Sequence, residues 1–200
     1  MSLLARLHGS LVFDRRTRIL SERLADLLPA EAKVLDVGCG DGLIDHLIGT
    51  RRPDVSMAGI DVIVRPETHV PVKPFDGTAI PYEDGAFDVV MFVDVLHHTA
   101  DPEILLREAR RVARTAVVLK DHTRDGWLAG STLRFMDWVG NKPHGIPLPY
   151  NYWPEQRWRE AFERIGLVPA VWLDRLNLYP APASWLFDRS LHFIARLDRA

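Results

Sequence analysis

The sequence predicts an α/β protein built around a mostly parallel sheet, and three observations support this fold class. Strand-like and helix-like stretches alternate from Lys33 to Lys120, as in parallel sheets. The stretch FDVVMFVDV, residues 87–95, is almost entirely apolar, as expected for a strand covered on both faces. Glycines follow the first predicted strand at alternate positions, in VLDVGCGDG, residues 34–42. Such a strand–glycine–helix junction commonly lies at the ligand-binding edge of the sheet.

Apolar spacing predicts the elements of the first half. Residues 16–29 place leucines on one helical face and end at Pro29. Three strands are then predicted over residues 33–38, 56–64 and 70–75, with a helix over 41–50 between the first two. Prolines at positions 66, 71 and 74 leave little room for a helix before the third strand.

The second half combines further strands and helices with an aromatic-rich region. Asp101 followed by proline predicts a capped helix start, and AVVLK, residues 116–120, predicts the next strand. All six tryptophans lie between Trp127 and Trp185. Later predicted elements are helices over 127–141 and 154–167, a loop over 142–154, and strands over 167–176 and 191–198.

Length and composition predict one domain over residues 1–200, with a cofactor-side part over 1–120 and a substrate-side part over 121–200. The net charge of -2, without a basic tail, argues against a nucleic-acid partner. The single cysteine excludes an internal disulfide and a multi-cysteine zinc site. No stretch is apolar for the roughly 18 residues of a membrane span, and the first residues lack a signal-peptide core. We therefore expect a cytoplasmic enzyme-sized domain.

The glycines predict a site for a nucleotide-like ligand, because they let the backbone approach a ligand closely beside a helix N-terminus. A dinucleotide is the rival ligand, but its G-x-G-x-x-G fingerprint would need glycine where Leu43 stands. Asp36 also places negative charge where a pyrophosphate would bind. Asp61 ends the second strand, where a carboxylate can accept hydrogen bonds from both ribose hydroxyls. Asp76 follows the third strand, where it can meet an adenine edge.

Together these stretches resemble the class I S-adenosylmethionine (SAM)-dependent methyltransferases of the broad small-molecule type. The resemblance covers Val34 to Lys120 and is carried by VLDVGCGDG, GIDV, FDGTAIPYEDGAFDVVMFVDVLHH and DPEILLREARRVAR. It implies a Rossmann-like doubly wound sheet of mostly parallel strands, with an antiparallel last strand and helices on both faces. It also implies SAM as cofactor and S-adenosylhomocysteine as product.

The resemblance further implies cofactor roles for nine residues: Asp36, Gly38, Cys39, Gly40, Asp61, Val62, Asp76, Gly77 and Asp94. The loop from Gly38 to Gly40 would cradle the methionine part, with Asp36 organising the loop or contacting the ammonium group. Val62 would pack on adenine, Asp76 and Gly77 would bond its edge, and Asp94 would contact the methionine end through backbone. Asp61 or Asp76 could instead be a local cap or turn residue, and Cys39 a small loop residue.

Two departures set the chain apart from better-known relatives. The helix after GIDV is shortened, and the lysine-proline-glycine-glycine turn before the fifth strand is absent, since the chain reads RVARTAVVLKDH. Neither departure removes a SAM contact, but both weaken any inference about the substrate.

The acceptor side has histidines and aromatic residues but no predicted metal. His98 and His122 are candidate general bases because imidazole titrates near neutral pH, although either could simply bond locally. His97, Tyr150, Tyr152 and Trp153 are candidate substrate-binding residues, and the aromatic rings could equally fill core. His97 and His98 are adjacent and lack further ligands at helical spacing, so we expect no metal.

We therefore predict methyl transfer from SAM to a small-molecule acceptor of apolar or aromatic character, at an O, N or C atom. Two alternatives stay open. One is a catalytically inactive SAM-fold binding or regulatory protein. The other is an NAD(P)-dependent oxidoreductase, which the absence of a tyrosine–lysine pair four residues apart disfavours.

Overall fold

The computed structural model describes residues 3–141, 150–188 and 190–200, and within them one seven-stranded sheet forms the centre of the molecule. Its strands are β1 (Lys33–Val37), β2 (Ser56–Asp61), β3 (Val72–Pro74), β4 (Phe87–Val93), β5 (Ala113–His122), β6 (Leu167–Leu173) and β7 (His192–Arg199). The strand order is β3-β2-β1-β4-β5-β7-β6. The first five strands pair in parallel, and β7 runs antiparallel to both β5 and β6. This confirms the predicted fold class.

Helices cover both faces of the sheet. They are α1 (Leu3–Ala25), α2 (Leu43–Arg51), α3 (Pro102–Val112), α4 (Ala129–Asn141), α5 (Glu155–Ile165) and the single turn α6 (Ser184–Phe187). Leucines of α1 and Ile48 of α2 pack in one core cluster. Leu105 of α3 and Trp158 of α5 pack in the other. Helix α1 starts well before the predicted residue 16, because leucine, alanine and arginine favour the helix even where the apolar stripe is interrupted.

Strand β4 explains the nearly unbroken apolar run in the sequence. Val89 and Met91 pack in the core cluster of α1 and α2, while Val90 and Phe92 pack in that of α3 and α5. Successive side chains of a strand point to opposite faces, so both faces are buried, as predicted.

Local signals also placed the element boundaries that border the site. The predicted cap at α3 is confirmed, since the Glu103 N–H donates to Asp101 Oδ1 at 3.0 Å. Residues 62–71 contain no helix, as the prolines predicted. Residues 142–149 of the loop predicted over 142–154 lie outside the described residues.

None of the described helices has the length and apolarity needed to cross a membrane.

Candidate active site

The glycine loop after β1 is held in a backbone conformation that glycine tolerates best. Gly38, Gly40 and Gly42 have φ angles of 80°, 63° and 75°, in the left-handed region. A Cβ added at Gly38 would lie 2.6 Å from Val95 Cγ2, and one at Gly42 would lie 2.6 Å from Val70 Cγ2. A Cβ at Gly40 would meet nothing within 4 Å. The loop is thus packed at both ends and open at Gly40, so it can cradle a group such as the methionine end of SAM.

Asp61 lies at the end of β2 and ties the glycine loop to its neighbour strand. Its Oδ2 accepts a hydrogen bond from the Gly40 N–H at 2.8 Å, and its Oδ1 accepts one from the Ile63 N–H at 2.8 Å. The side chain is half-buried at the carboxyl edge of the sheet. Each carboxylate oxygen has a second lone pair, so both can still accept a hydroxyl hydrogen of a ribose.

Beneath this loop two carboxyl groups are buried side by side. Asp36 of β1 and Asp45 of α2 are 2% and 1% exposed. Burial, then the charge of Asp45, raises the pKa of Asp36 well above its ordinary value. Burial also raises the pKa of Asp45 to about 7. The sequence analysis missed Asp45, because an acid in the first turn of a helix ordinarily just complements the helix dipole. Burial likewise raises the pKa of the Cys39 thiol, which makes it a poor nucleophile at neutral pH.

The residues predicted to meet adenine gather at the ends of β2 and β3. A Cβ added at Gly77, where φ is 83°, would lie 3.2 Å from Val62 Cγ1. Val62 is 57% exposed. Asp76 is exposed, and its Oδ1 accepts hydrogen bonds from the Thr78 and Ala79 N–H groups at 2.7 and 2.8 Å. These bonds, that of Ala79 first, lower the pKa of Asp76. Asp76 therefore stabilises its own turn and presents a carboxylate beside Val62 and Gly77.

On the other side of the glycine loop, Asp94 joins three elements. It has a left-handed φ of 59°. Its carboxylate accepts hydrogen bonds from Arg16 of α1 and from the fully buried Lys120 of β5, and His122 Nε2 lies 3.2 Å from its Oδ1. Burial opposes its ionisation, but Lys120 and then Arg16 hold the pKa of Asp94 well below its usual range. Asp94 is therefore a carboxylate neutralised by two cations.

His122, the last residue of β5, is a buried imidazole with a defined orientation. Its Nδ1 lies 3.2 Å from the Leu191 carbonyl oxygen, and its Nε2 lies 3.2 Å from Asp94 Oδ1. Both neighbours are acceptors, so the single N–H of the neutral imidazole can satisfy one of them at a time. Burial, followed by the charge of Lys120, lowers the pKa of His122 to about 4. His192 adjoins it, donating from Nε2 to the Phe187 carbonyl at 3.0 Å and accepting at Nδ1 from Lys120 at 3.2 Å.

A second histidine pairs with a buried acid. His97 Nδ1 lies 2.7 Å from Asp121 Oδ1, and the two side chains are 1% and 0% exposed. The Leu96 and His122 N–H groups also donate to Asp121, at 3.0 and 2.7 Å. Burial opposes the ionisation of Asp121, but His97 lowers its pKa. Tyr152 stacks on His97 with ring centroids 5.4 Å apart and closes this side of the cluster.

The remaining predicted acceptor-side residues have mixed surroundings. His98 is half-buried, with its ring centroid 4.1 Å from that of His97. The Arg134 guanidinium lies 5.4 Å from the Tyr150 ring centroid. Trp153 packs in the hydrophobic core, 4.7 Å from Trp158 between ring centroids. For Trp153 the structure favours the core-filling alternative.

The contacts described above join a set of side chains that we call the histidine cluster: Arg16, Asp94, His97, Lys120, Asp121, His122, Tyr152 and His192. Four of its members were not identified from the sequence. Lys120 and Asp121 occupy the carboxyl end of β5, so the rule that ligands bind at this edge could have found them. Arg16 and His192 lie on α1 and β7, far away in the sequence, and no local signal marks them.

Asp94, His97 and His122 could in principle hold a metal ion, since one ligand atom from each lies within 4.8 Å of the others. Lys120 and Arg16 already bind the Asp94 carboxylate. A divalent cation would therefore add positive charge beside two existing cations in a buried place, which is unfavourable. The expectation that no metal is needed stays a prediction.

Comparison with known proteins identifies the family. A methyltransferase domain matches residues 12–170. The chain is 32% identical to 27-O-demethylrifamycin SV methyltransferase of Amycolatopsis mediterranei, over 52% of this chain and 44% of that protein. It is 25% identical to 2-methyl-6-phytyl-1,4-hydroquinone methyltransferase of Synechocystis, over 70% of this chain and 42% of that protein. The fold resembles geranyl diphosphate C-methyltransferase of Streptomyces coelicolor, with a TM-score of 0.68, 16% identity, and 90% and 78% of the two chains covered.

The chain belongs to the class I SAM-dependent methyltransferases. It spans less than half the length of the curated relatives just described. The family assignment agrees with the open glycine loop at Gly40 and with Asp61 beside it, which together fit SAM, the cofactor of the family.

Proposed function

We propose that this protein transfers the methyl group of SAM to a small-molecule acceptor of apolar or aromatic character. One observation carries the proposal. The open glycine loop with Asp61 and the buried histidine cluster around Asp94 lie on adjacent parallel strands, β2, β1, β4 and β5, at their carboxyl ends. A cofactor at the first site would therefore point toward an acceptor at the second.

For the cofactor, we assign the roles that the sequence resemblance implied. The backbone of Gly38 and Gly40 cradles the methionine end, and Asp61 holds the ribose. Val62 covers the adenine, while Asp76 and Gly77 bond its edge. The exposure of Val62 and its closeness to Gly77 support this adenine site.

For the transfer, SAM supplies a methyl group already activated by its sulfonium. The chain's own residues align the acceptor and exclude water, and orientation alone can lower the barrier by about 7–11 kcal/mol. Tyr152 and the histidine rings form the wall that would do this. The name of the relative that methylates 2-methyl-6-phytyl-1,4-hydroquinone supports an acceptor with an aromatic ring.

A hydroxyl acceptor would require a general base, and three histidines are candidates. His122 is uncharged at neutral pH because burial lowers its pKa, and its Nε2 lies 3.2 Å from Asp94 Oδ1 at the carboxyl edge of the sheet. His97 is paired with Asp121, which would stabilise the imidazolium formed by proton abstraction. His98 lies beside His97 and stays a candidate. For an acceptor without an exchangeable proton, the same side chains would only position the substrate.

The first experiment is calorimetric titration of the folded, ligand-free chain with SAM, S-adenosylhomocysteine and NADH. We expect the first two to bind and NADH not to bind. Binding of NADH alone would contradict the proposal in favour of an oxidoreductase. Binding of none would contradict the cofactor site altogether. If the chain binds SAM but methylates none of a panel of phenols, quinols and amines, the result would favour the inactive binding protein.

A pair of variants tests the cofactor geometry. Asp61→Ala should weaken SAM binding roughly 10- to 100-fold, because hydrogen bonds to a charged group contribute about 1.5–3 kcal/mol. Asp174→Ala is the matched control, since Asp174 is an exposed carboxylate after β6. Equal affinities of the two variants would show that Asp61 does not hold the ribose.

The predicted cytoplasmic location is a separate proposal, which fractionation of the source cells would test.

A further inference from the structure

The Asp36–Asp45 pair is a feature that the proposed transfer does not use. Asp36 is the penultimate residue of β1, and Asp45 lies in the first turn of α2, so the pair sits directly beneath the glycine loop. A Cβ added at Gly42 would lie 3.6 Å from Asp45 Oδ2. Both side chains are at least 98% buried. Asp36 Oδ1 and both Asp45 oxygens accept no hydrogen bond from the residues that the structure describes.

Among the described residues, the charged groups that act on the pair are themselves acids. The charge of Asp61 contributes to raising the pKa of Asp36, and the charge of Asp41 contributes to raising the pKa of Asp45. The adjacent Cys39 thiol is uncharged, because burial raises its pKa. The backbone of Val37 forms a hydrogen bond with Asp36, which lowers the pKa of Asp36 but does not offset the effect of burial. Two neighbouring buried carboxyl groups do not both ionise without a cation. A single proton between them supplies the missing hydrogen-bond donor and leaves one negative charge.

We propose that Asp36 and Asp45 share one proton in the free protein and release it to solvent when the α-ammonium group at the methionine end of the cofactor binds. The inference rests on the proposed function, which places that end on the loop directly above the pair. Only an O–H bond breaks, and the α-ammonium group takes over the proton's role as the positive partner. The pair thus couples binding of the amino-acid part of the cofactor to the release of a proton.

This proton exchange makes cofactor affinity depend on pH in a defined direction. Below the pKa of the pair, binding must displace a proton, so affinity rises with pH by up to about tenfold per pH unit. Because burial raises the pKa of both carboxyl groups, to about 7 for Asp45 and well above its ordinary value for Asp36, the shared proton is still present at about pH 6.5 and the rise should continue up to about pH 7. The α-amino group of the cofactor stays protonated below about pH 7, so its own titration does not obscure the rise.

The test is calorimetry of the whole chain at about pH 6.5 in buffers of different ionisation enthalpy, which counts released protons. We expect SAM and S-adenosylhomocysteine each to release roughly 0.5–1 proton. 5′-Methylthioadenosine has the adenosine and sulfur but lacks the amino-acid group, so it should bind without release. This comparison uses the unmodified chain and does not depend on any variant folding.

Asp45→Asn tests the pair itself. Its amide can donate permanently to Asp36, so the variant should bind SAM with no proton release and a flat affinity from about pH 5.5 to pH 7. Asp41→Asn changes an exposed acid of the same loop and should keep the release. SAM binding without release by the parent chain, equal release with 5′-methylthioadenosine, or undiminished release by Asp45→Asn would each overturn this inference alone. Failure of the parent to bind SAM would overturn the proposed function as well.

Discussion

Replacing Gly38 by alanine should destabilise the protein more than replacing Gly40, although both glycines lie in one loop with similar φ angles. Alanine in the left-handed region costs about 1–2 kcal/mol, and this applies at φ of 80° and 63° alike. At Gly38 the new Cβ would also lie 2.6 Å from Val95 Cγ2 and 3.0 Å from its Cγ1. Overpacking of this kind costs about 1–3 kcal/mol.

The expected losses follow by addition. Gly38→Ala should lower the free energy of unfolding by about 2–5 kcal/mol, and Gly40→Ala by about 1–2 kcal/mol. The gain from restricting the unfolded chain is common to both substitutions. The difference between them, about 1–3 kcal/mol, therefore measures the contact with Val95. Urea unfolding followed by circular dichroism gives both values.

A double-mutant cycle separates the two causes. Val95→Ala removes both methyl groups that the new Cβ would meet, so Gly38→Ala should cost about 1–3 kcal/mol less in that background. Equal destabilisation by Gly38→Ala and Gly40→Ala, or additivity of Gly38→Ala with Val95→Ala within about 0.5 kcal/mol, would refute the reasoning. Gly40→Ala should still weaken SAM binding, because its Cβ enters the space open to the cofactor.

Three further predictions follow from single contacts. Asp101→Ala should cost about 1 kcal/mol of unfolding free energy by removing the cap of α3, whereas Asp101→Asn should keep most of it; equal losses in urea unfolding would contradict the cap. Trp158→Phe should cost about 1–3 kcal/mol, because the indole N–H donates to the His122 carbonyl at 3.0 Å; an unchanged urea midpoint would refute this. His122 has a folded-state pKa of about 4, below its ordinary 6.5, so the unfolded chain binds more protons between these values. Its contribution to stability is complete above pH 6.5 and is lost as the pH falls toward 4, so His122→Gln should flatten that part of the pH–stability profile.

Much of the fold and the geometry of the candidate cofactor site could be predicted because the signals are local. The apolar run of β4, the Asp101–Pro102 helix start and the prolines before β3 act within a few residues. The glycine loop is also local, since left-handed backbone requires glycine whatever surrounds it. Asp61 could be placed because the carboxyl ends of parallel strands share one edge of the sheet. Its bond to the Gly40 N–H agrees with that placement.

The burial of Asp45 could not be predicted, because it depends on how α2 packs over β1. Its sequence position at the start of a helix is that of an ordinary surface acid. The packing removes both carboxyl oxygens from water and sets them beside Asp36. Trp153 depends on packing in the same way: the sequence left both a substrate-binding and a core-filling role open, and the fold buries its side chain in the core.

The sequence by itself determined the α/β class, the glycine loop and the carboxylate beside it, since each depends on neighbouring residues or on one strand end. Only the tertiary structure decided the proposed acceptor side. There Arg16, Asp94, Lys120, His122 and His192 come together from α1, the end of β4, β5 and β7. Arg16 and Asp94 are 78 residues apart, and Lys120 and His192 are 72 apart. No periodicity spans such separations. Burial among these partners lowers the pKa of His122 and raises that of Asp36, so the protonation states on which the chemistry depends are properties of the packed molecule.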